Sequence, residues 1–195
     1  MRLKASVIAV LVMATTVSPA QAAPNYVFPV IGCDYTYTKA HHDYPATDIL
    51  AKAGCKYVAV TSGVVDEVNR IDSWSGKTNL GVDRGGLYVS FIGDDGVRYY
   101  ASHLRTIPQS IQPGVEVKAG RLLGTVGATG SARGTKPHIH FGLSWSTPPQ
   151  TWWVRRGMVW PWKYLDAWKA GKDLSPAKEV DAKRLQVGDL PPEPK

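Results

Sequence analysis

Residues 136–143 read KPHIHFGL and place His138 and His140 one residue apart in a stretch that otherwise reads as a β-strand. In a strand, residues i and i+2 point to the same side, so the two imidazoles share one face. Imidazoles held that close suit a shared metal site, or a pair in which one binds metal and the other handles protons. H-x-H alone is a weak signal, but the chain has only five histidines and the other three stand in equally compact settings. His41 and His42 lie in AHHDYPATDIL, and His103 in YYASHL. Asp48 begins the apolar run DILAKAG, where a half-buried carboxylate needs a cation or hydrogen-bond donors. Asp43 is well explained as a turn residue beside Pro45. Neither H-E-x-x-H, with its glutamate base, nor the serine motif G-x-S-x-G occurs in the chain.

These residues need a scaffold, and the sequence between them predicts a β one. From residue 56 to 143, β-branched and alternating runs (KYVAVTSGVVDEVNRI, GLYVSFIGDDGVRYYASHL, RLLGTVGATG, HIHFGLSW) are separated by glycine-bearing turns. GDDGV between two of them is a hairpin signal. The expectation is an antiparallel, mainly β domain with peripheral helices. Residues 73–86, SWSGKTNLGVDRGG, read as an exposed polar loop and a candidate groove wall. The glycine-rich run before KPHIHF lacks the Lys-Ser/Thr ending of a phosphate loop. Six of the seven tryptophans fall between Trp145 and Trp168. Such a cluster more often packs a terminal segment onto a sheet than it forms a carbohydrate platform. PWKYLDAWKAG reads as a short helix closed by Gly171, and residues 171–195 as a polar, flexible tail.

With 195 residues, 44% of them apolar, the chain suits one well-cored domain, expected over 23–170. Residues 1–22 carry Arg2 and Lys4, an apolar stretch and an Ala20-Gln21-Ala22 cleavage pattern, which together read as a secretory signal peptide. The expected location is therefore extracytoplasmic, with no stable membrane insertion after cleavage. Removing that segment leaves 21 basic against 16 acidic residues, a formal +5. Such an excess is better matched to an anionic envelope than to nucleic acid, for which no basic helix or aromatic RNA motif is present. Two cysteines in an exported chain favour a Cys33–Cys55 disulfide, closing a loop that contains His41, His42 and Asp48.

From Tyr35 to Phe141 the sequence resembles the LytM or lysostaphin-type zinc metallopeptidases, which cut peptidoglycan peptides. The resemblance is carried by HHDYPATD, AVTSGVVDEV, YYASHL and GVEVKAGRLLGTVGATGSARGTKPHIHFG, in that order. It implies the antiparallel sheet domain of the duplicated hybrid-motif type with a short C-terminal helix. It further implies Zn²⁺ on the first motif's histidine and aspartate and on the second histidine of H-x-H, hence Asp48 and His140. His103 and His138 are then the catalytic pair, assisting hydrolysis by a water bound to the metal. The usual first motif is H-x-x-x-D, whereas Tyr44 stands four residues before Asp48. HHDYPATD looks like the lengthened variant of secreted actinobacterial members. His42, the nearer histidine, is the expected ligand, with His41 as the fallback. The substrate implied is a peptidoglycan stem peptide or cross-link, and the protein is expected to act as a monomer. The competing readings are a non-catalytic cell-wall-binding or hydrolase-regulating protein of the same fold and, remotely, a carrier domain of similar β-architecture.

Overall fold

The structure, a computed structural model, describes residues 25–194; the expected signal peptide lies outside the described residues. The strands are β1 (Val30–Ile31), β2 (Tyr35–Tyr37), β3 (Thr47–Ala51), β4 (Lys56–Val58), β5 (Gly63–Asn69) and β6 (Tyr88–Gly93). They continue with β7 (Arg98–Ser102), β8 (Leu104–Thr106), β9 (Glu116–Val117), β10 (Leu122–Val126) and β11 (His138–Ser144). Three helices follow, α1 (Trp152–Arg155), α2 (Trp162–Lys169) and α3 (Ala177–Val187). Every strand pairing is antiparallel, in a seven-stranded sheet ordered β2-β3-β11-β7-β6-β5-β9 and a four-stranded sheet ordered β1-β4-β10-β8. The mainly β, antiparallel expectation holds, and so does the helix after Pro161.

Period-2 alternation decides which face of the large sheet is core. In β11, Ile139, Phe141 and Leu143 are fully buried, opposite Ile49 of β3 and Ala101 and Tyr99 of β7. They join Val30, Tyr57, Leu104 and Leu123 of the small sheet in one apolar cluster. The other face of β11 therefore carries His138, His140, Gly142 and Ser144. Register places His140 directly opposite Asp48 on one side and Ser102 on the other.

At the far end of that face lies a buried charge network. The fully buried Arg98 donates to Asp66 Oδ2 at 2.7 Å, Glu67 Oε2 at 3.1 Å and Ser90 Oγ at 2.7 Å. Arg155, at the end of α1, joins the same two carboxylates at 2.8 and 2.7 Å. Charges this far from water are tolerable because each is paired and hydrogen-bonded.

The expected disulfide joins Cys33 to Cys55 across 22 residues of sequence. The tryptophan cluster packs a terminal segment, as read from the sequence. Trp145 and Trp153 donate their indole N–H groups to the carbonyls of Asp189 and Pro191, at 2.9 Å each, and Trp168 stacks on Tyr26. The structure departs from a simple polar tail here. Within 171–195 lies α3, seated by the buried Val180 and by Glu179, which accepts from the Tyr164 hydroxyl at 2.6 Å. Composition hid this helix because a single apolar anchor and side-chain hydrogen bonds hold it, not an apolar stripe. No helix among the described residues is long and apolar enough to cross a membrane.

Candidate metal centre

His41, Asp48 and His140 each present one donor atom, and these atoms lie within 4.8 Å of one another. Asp48 and His140 come together through strand register alone, as an opposed β3–β11 pair. The third member is set by a loop, and here the structure corrects the expectation of His42. The turn through Asp43 and Pro45 directs His41 inward, its Nε2 3.9 Å from Asp48 Oδ1 and its side chain only 8% exposed. His42 is exposed and lines the same cavity from outside the cluster. Nearness in sequence favoured His42; loop direction favours its neighbour.

Backbone carbonyls fix how each ring faces the site. Such oxygens only accept, so a ring nitrogen beside one must carry the hydrogen. His41 Nδ1 donates to Tyr44 O at 3.0 Å, and His140 Nε2 donates to Arg156 O at 3.1 Å. In the neutral rings the opposite nitrogens, His41 Nε2 and His140 Nδ1, turn lone pairs toward the Asp48 carboxylate, the latter at 3.2 Å, whereas a protonated His140 donates to it from Nδ1. Lone pairs converging on a carboxylate call for a cation between them, and imidazoles oriented from behind by carbonyls are the usual support of a metal site. The Tyr44 hydroxyl lies 3.3 Å from His140 Nε2.

The Arg156 carbonyl can reach His140 only because residue 142 is glycine. A Cβ there would stand 1.8 Å from Arg156 O. β3 begins at Thr47, beside Phe141, and past this pair Met158 takes over, donating its N–H to Leu143 O at 2.8 Å. That pairing lays residues 156–158 along β11.

His103 and His138 adjoin the cluster, with ring centres 4.9 Å apart, and His103 lies 6.2 Å from His140. His103 Nδ1 donates to Thr129 O and His138 Nδ1 to Lys136 O, both at 2.8 Å, so each has a free Nε2. His103 sits between β7 and β8 with φ +64°, a left-handed conformation uncommon for a residue with a side chain. Backbone bonds hold it there: its N–H donates to Gly85 O at 2.9 Å, and Leu104 N–H to Leu87 O at 3.0 Å. Strain kept in place this way is typical of functional positions.

The electrostatics suit a dication. Burial raises the Asp48 carboxyl, but the hydrogen bond and charge of His140, with His138 and His41, outweigh it and hold the group down at about 2. Burial, reinforced by His140, lowers His41 below the ordinary histidine value despite Asp48. Burial, with His140 and His138 beside it, lowers His103 to about 3. At neutral pH the site therefore offers an ionised Asp48 and a neutral His41, the protonation states a metal requires of these two groups.

Four of the five expected residues, Asp48, His103, His138 and His140, meet here, and the fallback His41 joins them in place of His42. Sequence reasoning missed Thr129, Tyr44, Gly142 and Arg156. Thr129 receives His103 through its carbonyl, while its hydroxyl donates to Leu104 O at 2.9 Å. All four act wholly or in part through backbone atoms or through the lack of a side chain, so residue type carried no signal for these contacts.

A family model described as peptidase family M23 matches residues 42–151, more than half of the chain, and the span includes Asp48, His103, His138 and His140. The catalytic domain of the antimicrobial peptidase lysostaphin from Staphylococcus simulans superposes with a TM-score of 0.51 at 25% identity. That match covers 68% of this chain and 92% of the domain. A protein described as glycyl-glycine endopeptidase LytM, from Ruminococcus gnavus, gives a TM-score of 0.58 at 20% identity, over 76% of this chain and 62% of its own. Whole lysostaphin gives 0.54 at 23%, over 80% and 59%. The chain thus spans less than two thirds of these two longer proteins, whose likeness is one of fold. With the matched span covering more than half of the chain and all of the site but His41, and with the lysostaphin catalytic domain sharing the fold, this chain belongs to peptidase family M23.

Proposed function

We propose that the protein is a secreted zinc metalloendopeptidase that hydrolyses amide bonds in peptidoglycan stem peptides or cross-links. The observation that carries this reading is the pairing of a two-histidine, one-carboxylate cluster with two further imidazoles whose free nitrogens adjoin it. His41, Asp48 and His140 would hold the metal, leaving room for water and substrate, as in a catalytic and not a structural zinc site. Zinc, when bound, supplies Lewis acidity, polarising an amide carbonyl and making water more acidic. The chain's own groups then move the protons. His103 is neutral, with Nδ1–H committed to Thr129, so its Nε2 accepts a proton. His138, half-exposed at the cavity edge, has the same polarity, and the two rings can take a proton from water and return it to the leaving amine. Tyr44, beside His140, has a hydroxyl that burial pushes up to about 12, so it stays protonated and can donate to an oxyanion.

The test is to incubate the zinc-loaded protein with defined peptidoglycan fragments and analyse the products by mass. New free amines at one linkage are expected. His140→Ala should lose metal, whereas His138→Ala should keep it and lose turnover. Stoichiometric zinc without any cleaved linkage would instead leave the wall-binding alternative standing.

A further inference from the structure

The cavity over the three metal-site residues is also lined by Arg84, Lys136 and Arg156. Arg98, Arg133, Arg155 and Arg184 all have carboxylate partners, but among the described residues Arg84 and Arg156 form no ion pair. Both are half-buried and held in place. Arg84 Nε donates to Asn79 Oδ1 at 3.2 Å, and the Arg156 guanidinium lies 5.1 Å from the centre of the Trp152 ring. Trp152 in turn fills the space beside Gly81, where a Cβ would come within 2.2 Å of the ring. The 73–86 loop and α1 thus abut at this indole, and each brings one guanidinium to the same cavity.

A half-buried guanidinium without a counter-charge is costly, and its planar fork matches a carboxylate in two-point contact. The cavity's own acids do not serve: Asp48 faces the imidazoles, and Asp43 is exposed and makes no ion pair with either arginine. Resting on the peptidase reading above, we propose that Arg84 and Arg156 form a carboxylate-binding subsite, so that the preferred substrate is a peptide carrying a free carboxylate close to the scissile amide. An uncharged glycine bridge would leave both cations unmatched.

The experiment is calorimetric titration of the full chain, under chelator to prevent turnover, with short peptides bearing one carboxylate. The carboxylate stands either at the C-terminus or on an internal residue, and each peptide is compared with its carboxamide. One acid should bind on the order of tenfold or more tighter than its amide, and its position identifies the carboxylate recognised. In R84Q/R156Q the preference should shrink to less than about threefold, and R84K/R156K, which keeps the charge, should regain part of it. Single variants R84Q and R156Q, with melting curves, separate loss of recognition from loss of fold. A wild-type chain that binds acid and amide equally, or a preference that survives in R84Q/R156Q, overturns the proposal. Because binding is read without cleavage, a failure to find products counts against the peptidase reading alone.

Discussion

Gly142→Ala puts the support of His140 to the test. The added methyl would lie 1.8 Å from Arg156 O, whereas the closest ordinary carbon–oxygen contacts are about 3.3 Å. The carbonyl must therefore lift off β11 by about 1.5 Å, the difference between those two distances. It stands only 3.1 Å from His140 Nε2, so the bond that fixes the ring's orientation is lost. Outer partners of this kind change metal affinity by about 10- to 100-fold, and forcing a methyl into a packed site costs about 1–3 kcal/mol. Zinc affinity is measured by competition with a chromophoric chelator, and stability by thermal melting of the metal-free protein. Gly76→Ala is the control, because its methyl would meet only the edge of Trp74 at 3.4 Å. Should Gly142→Ala melt lower yet bind zinc as tightly as the parent, the carbonyl would have no part in orienting His140 and the reasoning above would be wrong.

His41→Ala should weaken zinc binding by at least about 100-fold, beyond the loss of a merely orienting partner, while His42→Ala leaves it nearly unchanged; the same competition assay decides between the neighbours. Asp66→Ala should cost about 3–5 kcal/mol in urea unfolding, because the buried Arg98 and its neighbour Arg155 are left to share Glu67. Burial raises Asp66, but Arg98 and Arg155 outweigh it and hold the carboxyl below its ordinary value. Its stabilisation is therefore complete above the unfolded value of about 3.9 and lost as pH falls through the folded one. Melting temperature should drop below about pH 4, less steeply in Asp66→Asn, and an equal slope in both proteins would remove Asp66 from the account. Replacing Cys33 and Cys55 with serine should cost about 3 kcal/mol for a loop of this length. The same change should lower zinc affinity, since the freed loop carries His41; an unaltered affinity would mean that the turn alone positions the ring.

The sequence carried those parts of the site that depend on strand geometry. His138 and His140 share a face because of the two-residue period, and Asp48 meets His140 because β3 and β11 pair in register. What depends on loop direction was not legible. Whether His41 or His42 turns inward is decided by the turn at Asp43–Pro45, and no count of residues back from Asp48 contains that information. Contacts made by main-chain atoms were equally hidden: the carbonyls of Tyr44, Thr129, Lys136 and Arg156 could have come from any residue type. Residues 177–187 read as tail because helix α3 buries only Val180, too little apolar surface to mark an amphipathic pattern.

Residues 155–158 lie past the end of the matched family span, yet they close the far side of the sheet that bears the site. A fragment ending at residue 151 would retain every motif histidine and Asp48. It would also bare Gly142, strip Arg98 of Arg155, and leave His140 Nε2 without its carbonyl. The unit that can be recognised by its motifs is therefore smaller than the unit that can be transplanted. Grafting the metal-site domain onto another protein requires carrying residues 155–158 along with it.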